Sequence, residues 1–238
     1  MSNPSEICVA ILAGGFGTRL QSTVKGNPKA LAEVRKHPFL EYLLHQLDQA
    51  NFKKIVLCTG YLSDQIEKTF GERYKNLRLY YSPEQLPLGT AGGLRKALPL
   101  LNSESILVMN GDSFCEVDFK KIWQFHLNKK SKASLVLSSV SDTSRFGTVK
   151  LGKNDNIIGF QEKKGGSEAG LINAGIYLIN KTFIAEIPKD KEMSLEKNVF
   201  PNWIGKGFYG YKSNNNFIDI GIPENYAQAE QFFAKYQL

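Results

Sequence analysis

The chain has 238 residues, 42% of them hydrophobic and 22% charged, the balance of a soluble globular protein rather than a disordered or fibrous one. That length suits one large domain or two small ones, and can bury about 70–75% of the unfolded chain's surface. No apolar run approaches the roughly 20 residues that span a bilayer. The polar start Met1 to Glu6 lacks the apolar stretch of a signal peptide, so neither membrane nor export is expected.

A formal net charge of +7 points to an anionic partner. Nucleic acid is not expected, because the positive residues are scattered and no reading motif accompanies them. Lys129, Lys130 and Lys132 form the densest cluster, and a solvated helix end explains them as well. Cys8, Cys58 and Cys115 are far apart and odd in number, which suits reduced core thiols in a cytoplasmic protein.

In chain order, Ile7 to Leu12 reads as a buried strand ending in glycines. Phe39, Leu40, Leu43, Leu44 and Leu47 recur at helical spacing, and Ile55 to Cys58 reads as the next strand. Ile66 and Phe70 mark a short helix, Leu77 to Tyr81 a strand, Gly93 to Leu98 a helix and Ile106 to Met109 a strand. Asp118 can cap a helix carrying Ile122, Trp123 and His126, before a strand at Leu135 to Val140. Thr148 to Leu151, Ile157 to Gln161 and Leu171 to Ile179 follow as strands, with a hairpin turn at Asn154 to Asn156. Glu224 to Tyr236 closes the chain as an amphipathic helix with Tyr226, Ala229 and Phe233 on one face. Phe208, Tyr209 and Tyr211 suit either an interface, hence a homo-oligomer, or packing in a strand.

The alternation predicts an α/β fold: one Rossmann-like domain, with a mostly parallel central sheet flanked by helices and extra strands in its C-terminal half. Ligands of such sheets bind beyond the carboxyl ends of the strands. The places to look are therefore just after Leu12, Cys58, Tyr81 and Met109.

Leu12-Ala13-Gly14-Gly15-Phe16-Gly17-Thr18-Arg19-Leu20 follows the first strand directly. Its glycines let several backbone N–H groups converge on an anion, and Arg19 and Lys29 add charge suited to phosphate. A tight turn with incidental charges would look the same. A P-loop is excluded, since no Gly-Lys-Ser/Thr closes the turn. A dinucleotide fingerprint is excluded because Leu20 stands where its third glycine would be.

Pro87-Leu88-Gly89-Thr90-Ala91-Gly92 has small residues that would admit a flat base, with Thr90 able to bond a base edge or to cap a helix. Asn110-Gly111-Asp112 places an acid at a strand end, or forms an ordinary turn. Asp219, in Phe217-Ile218-Asp219-Ile220-Gly221, is costly to bury unless paired or metal-bound, and could also face water. Two carboxylates suit Mg²⁺, completed by substrate phosphates. Glu162-Lys163-Lys164 reads from its residues as a solvated hairpin end. Gly175 is unusual inside a strand, and close approach of a ligand would account for it. His37, His45 and His126 read as structural or surface residues, and no Ser/His or Cys/His pair suggests a nucleophile.

Gly14 to Leu20 followed by Pro28-Lys29 resembles the signature of the sugar-1-phosphate nucleotidyltransferases, which join a nucleoside triphosphate to a sugar 1-phosphate and release pyrophosphate. The later segments occur in that family's order, from about Val9 to Tyr226. The resemblance implies that Leu12, Ala13, Gly14, Gly15, Gly17, Thr18, Arg19, Lys29, Gly89 and Thr90 bind the nucleotide. Gly111, Gly147, Glu162, Lys163 and Asn173 would bind the sugar phosphate. Asp112 and Asp219 would hold Mg²⁺, and Arg19, Lys29, Asp112, Lys163 and Asp219 would form the catalytic set. It also divides the domain, 1–238, into a nucleotide-binding part at about 7–140 and a sugar-binding part at about 141–238.

Arg145 to Val149, Gly170 to Tyr177 and Phe217 to Tyr226 are similar to the family's branch that guanylylates D-glycero-α-D-manno-heptose 1-phosphate. This implies GTP as donor and GDP-heptose, a lipopolysaccharide or capsule precursor, as product. Mannose-1-phosphate guanylyl transfer and amino-sugar uridylyl transfer are the neighbouring readings. A catalytically silent, nucleotide-sugar-binding regulatory subunit is the alternative of another class.

Overall fold

The computed structural model describes residues 6–15, 20, 26–144, 146–161 and 168–238. Its first half contains β1 (Cys8–Ala13), a small hairpin of β2 (Glu33–Val34) and β3 (His37–Pro38), α1 (Phe39–Gln49), β4 (Lys54–Thr59) and α2 (Ser63–Phe70). β5 (Arg73–Tyr74), β6 (Leu77–Pro83), α3 (Gly89–Ala97), β7 (Ser105–Asn110), β8 (Ser113–Cys115), α4 (Phe119–Asn128) and β9 (Ala133–Val140) follow. The second half contains β10 (Thr148–Leu151), β11 (Ile157–Gln161), β12 (Gly170–Asn180) and α5 (Lys181–Ala185). A π-helical turn at Leu195–Val199 then runs into α6 (Phe200–Trp203), before β13 (Phe208–Ser213), β14 (Phe217–Asp219) and α7 (Pro223–Phe232).

One sheet runs in the order β11-β10-β12-β7-β1-β4-β6-β5, and β9 joins β12 and β13 beside that path. The central strands β7, β1, β4 and β6 are parallel, as the alternation predicts. β12 runs antiparallel to β7 and to β9, and so ties the second half to the first. Strand side chains alternate between faces, and both faces here are covered. Val9, Ile11, Ile55, Leu57, Leu107 and Met109 point to the layer of α1, α4 and α7. Cys8, Ala10, Val56, Cys58, Ile106 and Val108 point to that of α3, α5 and α6.

Asp118 caps α4 as its position suggests, accepting from the backbone N–H groups of Lys120 and Lys121 at 3.0 and 3.1 Å. Two helix readings change. The helix expected from Gly93 begins at Gly89, with Leu88 in the cap position and no side-chain cap of its own. The Glu84 carboxylate takes the Leu88 N–H at 2.8 Å instead, so Thr90 lies inside the first turn. The closing helix ends at Phe232, and Phe233–Lys235 tightens into a 3-10 turn, while Ala229 and Phe233 are buried as expected.

Phe208 is buried in β13. All three cysteines are buried and free. Lys129 is more than a solvated helix end, since its Nζ pairs with Asp155 at 3.0 Å. Among the described residues no helix is long and apolar enough to cross a membrane.

Candidate active site

The parallel strands deliver their carboxyl ends to one place. The Gly111 N–H donates to the Leu12 carbonyl at 2.9 Å, joining the end of β7 to that of β1. The Glu84 N–H donates to the Thr59 carbonyl at 2.8 Å, joining the segment after β6 to β4. Between these ends and α3 opens a cavity of about 430 Å³. Leu12, Ala13, Gly14, Gly15, Lys29, Gly89, Thr90, Gly111, Asp112 and Asp219 all line it.

Asp112 and Asp219 meet because β8 and β14 pair antiparallel. Ser113 is opposite Asp219, and the Ile220 N–H donates to the Asp112 carbonyl at 2.9 Å. The Lys29 ammonium donates to Asp112 Oδ2 at 2.6 Å. A Cβ placed on Gly221 would lie 3.0 Å from Lys29 Nζ and 2.7 Å from Asp219 Oδ1, so the ammonium borders both acids. Asp219 Oδ1 also accepts from the Gly221 N–H at 2.6 Å.

The sequence reading missed Glu84, which lines the cavity beside Gly14. Burial pushes its carboxyl pKa up, against the Leu88 N–H and Lys96, which pull it down. Its Oε1 occupies the space that a side chain at position 93 would need, 2.2 Å from a Cβ built on Gly93. The only signal in the sequence was an acid just before the small-residue segment. Asn110, Cys58 and Glu192 also line the cavity without having been foreseen. Burial pushes the Cys58 thiol up to about 12, which leaves it a poor nucleophile.

Other expected residues are placed elsewhere. Asn173 does not line the cavity; its Nδ2 donates to the Tyr177 hydroxyl at 2.9 Å and its Oδ1 accepts from the Gly175 N–H at 2.8 Å. Gly175 has φ +72° at a register shift between β12 and β9, packed on Ser113 and Asn110. This local packing, rather than a ligand, accounts for the glycine. Gly147 is exposed, ahead of β10, and is not among the lining residues. Thr90 lines the cavity, but its hydroxyl donates to Glu196 at 3.1 Å and accepts from the Leu195 N–H at 2.8 Å. Gly17, Thr18, Arg19, Glu162 and Lys163, with Phe16, Arg145 and Lys164, lie outside the described residues.

Among the described lining residues, four carboxylates (Glu84, Asp112, Glu192 and Asp219) face one cation, Lys29. Against these described residues alone a polyphosphate is repelled, and a divalent cation or a cationic side chain outside the described residues would offset that charge. No group of three or more His, Cys, Asp or Glu is placed to hold a metal among the described residues. Two carboxylates on adjacent strands, facing an open cavity, fit Mg²⁺ where substrate oxygens complete the shell.

This cavity, at the carboxyl ends of parallel strands with paired acids and a lysine, is that of a nucleotide-handling α/β enzyme. The chain belongs to the nucleotidyl transferase family, whose model matches residues 9–236. It is 37% identical to a D-glycero-α-D-manno-heptose 1-phosphate guanylyltransferase of Aneurinibacillus thermoaerophilus, over 95% of this chain and 98% of that protein. The protein of the same description from Campylobacter jejuni is 35% identical over 91% of this chain and 95% of its own length. A mannose-1-phosphate guanylyltransferase of Mycobacterium tuberculosis is 31% identical, but only 63% of its length is covered. The crystal structure of HddC from Yersinia pseudotuberculosis superposes with a TM-score of 0.86 at 32% identity, covering 95% of this chain and 99% of that one.

Proposed function

We propose that this chain transfers the guanylyl group of GTP to D-glycero-α-D-manno-heptose 1-phosphate, giving GDP-heptose and pyrophosphate. The observation that carries the reading is the meeting of Lys29, Asp112 and Asp219 in one cavity with the Gly14-Gly15 turn. Full-length similarity to heptose 1-phosphate guanylyltransferases supports the choice of substrates.

In this reaction a phosphate oxygen of the sugar phosphate attacks the α-phosphorus. The bond from that phosphorus to the bridging oxygen breaks, and its electron pair leaves with pyrophosphate. The attacking phosphate is already ionised, so the chain needs neither nucleophile nor general base. Its task is positioning and charge compensation. Lys29 approaches the triphosphate from beside the two acids, and the backbone of Gly14 and Gly15 borders it. Arg19 is assigned to the nucleotide phosphates, and Lys163 with Glu162 to the sugar phosphate, on the family pattern alone. Asp112 and Asp219 would hold Mg²⁺, which when bound supplies positive charge against the triphosphate oxygens.

Glu84 suits the donor base. Guanine presents N1–H and N2–H₂ side by side, and a carboxylate accepts two such donors. Uracil and thymine present a single N–H between two acceptors, which a carboxylate repels. Three buried thiols without a disulfide suit a reducing, cytoplasmic compartment, and the product suits lipopolysaccharide or capsule synthesis.

The test is pyrophosphate release with Mg²⁺ over a panel of donors (GTP, ATP, UTP, dTTP) and acceptors (heptose, mannose and N-acetylglucosamine 1-phosphates). GTP with the heptose phosphate should give the highest kcat/KM. Preference for UTP with the amino sugar would overturn the reading. Nucleotide binding without release under any pairing would mark a silent binding subunit.

A further inference from the structure

Behind the cavity lies a polar cluster that the proposed reaction does not use. Glu196 sits in the π-helical turn, a helical irregularity often found at functional sites. Its Oε2 accepts from the Thr90 hydroxyl at 3.1 Å and from the Ser194 hydroxyl at 2.8 Å. Its Oε1 accepts from the Tyr177 phenol at 3.2 Å. The Tyr177 oxygen in turn accepts from Asn173 Nδ2 at 2.9 Å and lies 3.5 Å from Asn110 Oδ1. Burial, and then the Glu196 carboxylate, push the Tyr177 phenol well above its ordinary pKa, so it remains a donor.

Each partner belongs to a different wall. Thr90 is in the first turn of α3, beside the bond from the Leu88 N–H to Glu84. Asn110 ends β7, two residues before Asp112. Asn173 shapes the irregular stretch of β12, on the side assigned to the sugar phosphate. The backbone repeats the connection, since the Ala91 N–H donates to the Met193 carbonyl at 2.9 Å. Hydroxyl donors on one carboxylate make charge-assisted bonds, stronger than neutral ones.

We propose that Glu196 is a positioning residue that fixes the nucleotide-side turn of α3 against the sugar-side strand β12, so that donor and acceptor binding are coupled through it. The inference rests on the guanylyltransferase reading and extends it to a residue outside the cavity.

The experiment measures KM for GTP and for heptose 1-phosphate, and kcat, by pyrophosphate release, with calorimetric GTP binding in the presence and absence of the acceptor. Glu196→Ala should raise both KM values about tenfold and remove any effect of the acceptor on GTP affinity. Glu196→Gln keeps one oxygen for Thr90 and Ser194, and should recover most of the GTP KM. Tyr177→Phe severs the β12 branch, with its long contact to Asn110, but leaves the Thr90–Glu196 bond in place, and should raise the acceptor KM while leaving the GTP KM within twofold. Thr90→Val should raise the GTP KM less in the Glu196→Ala background than in wild type, because the Thr90–Glu196 bond is then already gone, while the Thr90 bond to the Leu195 N–H is lost in either background. A folded Glu196→Ala chain with both KM values unchanged and only a lower Tm overturns the proposal. Full additivity with Thr90→Val does so as well. If Glu196→Ala does not fold, Tyr177→Phe decides, and equal rises in both KM values overturn the proposal. A wild-type chain that releases no pyrophosphate defeats the functional reading instead. The acceptor's effect on GTP affinity then still decides the coupling, and its absence in wild type overturns it.

Discussion

Lys29 Nζ and Asp112 Oδ2 are 2.6 Å apart although 83 positions separate them. The Lys29 side chain is only 13% exposed, while that of Asp112 is 42% exposed towards the cavity. The ammonium thus borders both Asp112 and the Asp219–Gly221 turn. A divalent cation arriving alone must compete with it.

Lys29→Met should therefore have opposite effects on two readouts. Pyrophosphate release should fall by about 10²–10³-fold, the usual loss when a charge-stabilising donor is removed. Mn²⁺ uptake without nucleotide, followed by electron paramagnetic resonance, should tighten by about tenfold, as expected when a partly exposed competing charge is deleted. Unchanged or weaker uptake would show that the ammonium does not compete for the acids.

Gly93 and Glu84 make a second pair. A Cβ on Gly93 would sit 2.2 Å from Glu84 Oε1, so Gly93→Ala must push the carboxylate away from its place beside Gly14. The expected result is a rise in the GTP KM of at least tenfold, on the order of the 1–3 kcal/mol left when a buried polar group loses its partner. Glu84→Gln replaces one acceptor with a donor and should lower the ratio of GTP to UTP use. A kcat/KM ratio equal to wild type in both variants would remove Glu84 from base selection.

How much of this could be read from the sequence depended on periodicity. Three of the four parallel strands carried continuous apolar runs and β6 an alternating one, and the places after Leu12, Cys58, Tyr81 and Met109 do converge. The pairing of Asp112 with Asp219 was legible only through resemblance, because β8 and β14 are three residues each and give no periodic signal. The start of α3 was hidden because its cap is a side chain four residues back, Glu84, rather than a residue at the cap itself. Glu196 was invisible for a similar reason. Its partners Thr90 and Tyr177 are 106 and 19 positions away, and its local partner, Ser194, is by itself an ordinary turn residue.

Gly175 illustrates local strain next to the site. Its φ of +72° is left-handed, and a Cβ there would fall 2.5 Å from Ser113 Oγ and 3.0 Å from Asn110 Cβ. Gly175→Ala should cost about 2–4 kcal/mol from left-handed backbone strain and overpacking together. Tm should fall by roughly 4–16 °C for a chain of this size. Because Asn110 lies two residues before Asp112, activity at a temperature where the variant is folded should also drop. A variant with wild-type Tm would show that β12 can relax at this point without effort.

His126 should make stability depend on pH. It is buried on α4, with Nδ1 2.8 Å from the Ser134 hydroxyl and Nε2 3.4 Å from Asn180 Oδ1. Burial pulls its pKa down from 6.5 to about 4, against the Asn180 hydrogen bond, which raises it. Between those values the unfolded chain takes a proton and the folded chain does not. Stability is therefore unaffected above pH 6.5 and is lost as the pH falls towards 4. Between pH 7 and pH 5 the loss from this group should be about 2 kcal/mol. Urea denaturation of wild type and His126→Gln at the two pH values isolates it, because the carboxylates contribute equally to both chains. The variant should lose about 2 kcal/mol less than wild type over that interval. Equal losses would mean that the folded chain protonates His126 as readily as the unfolded one.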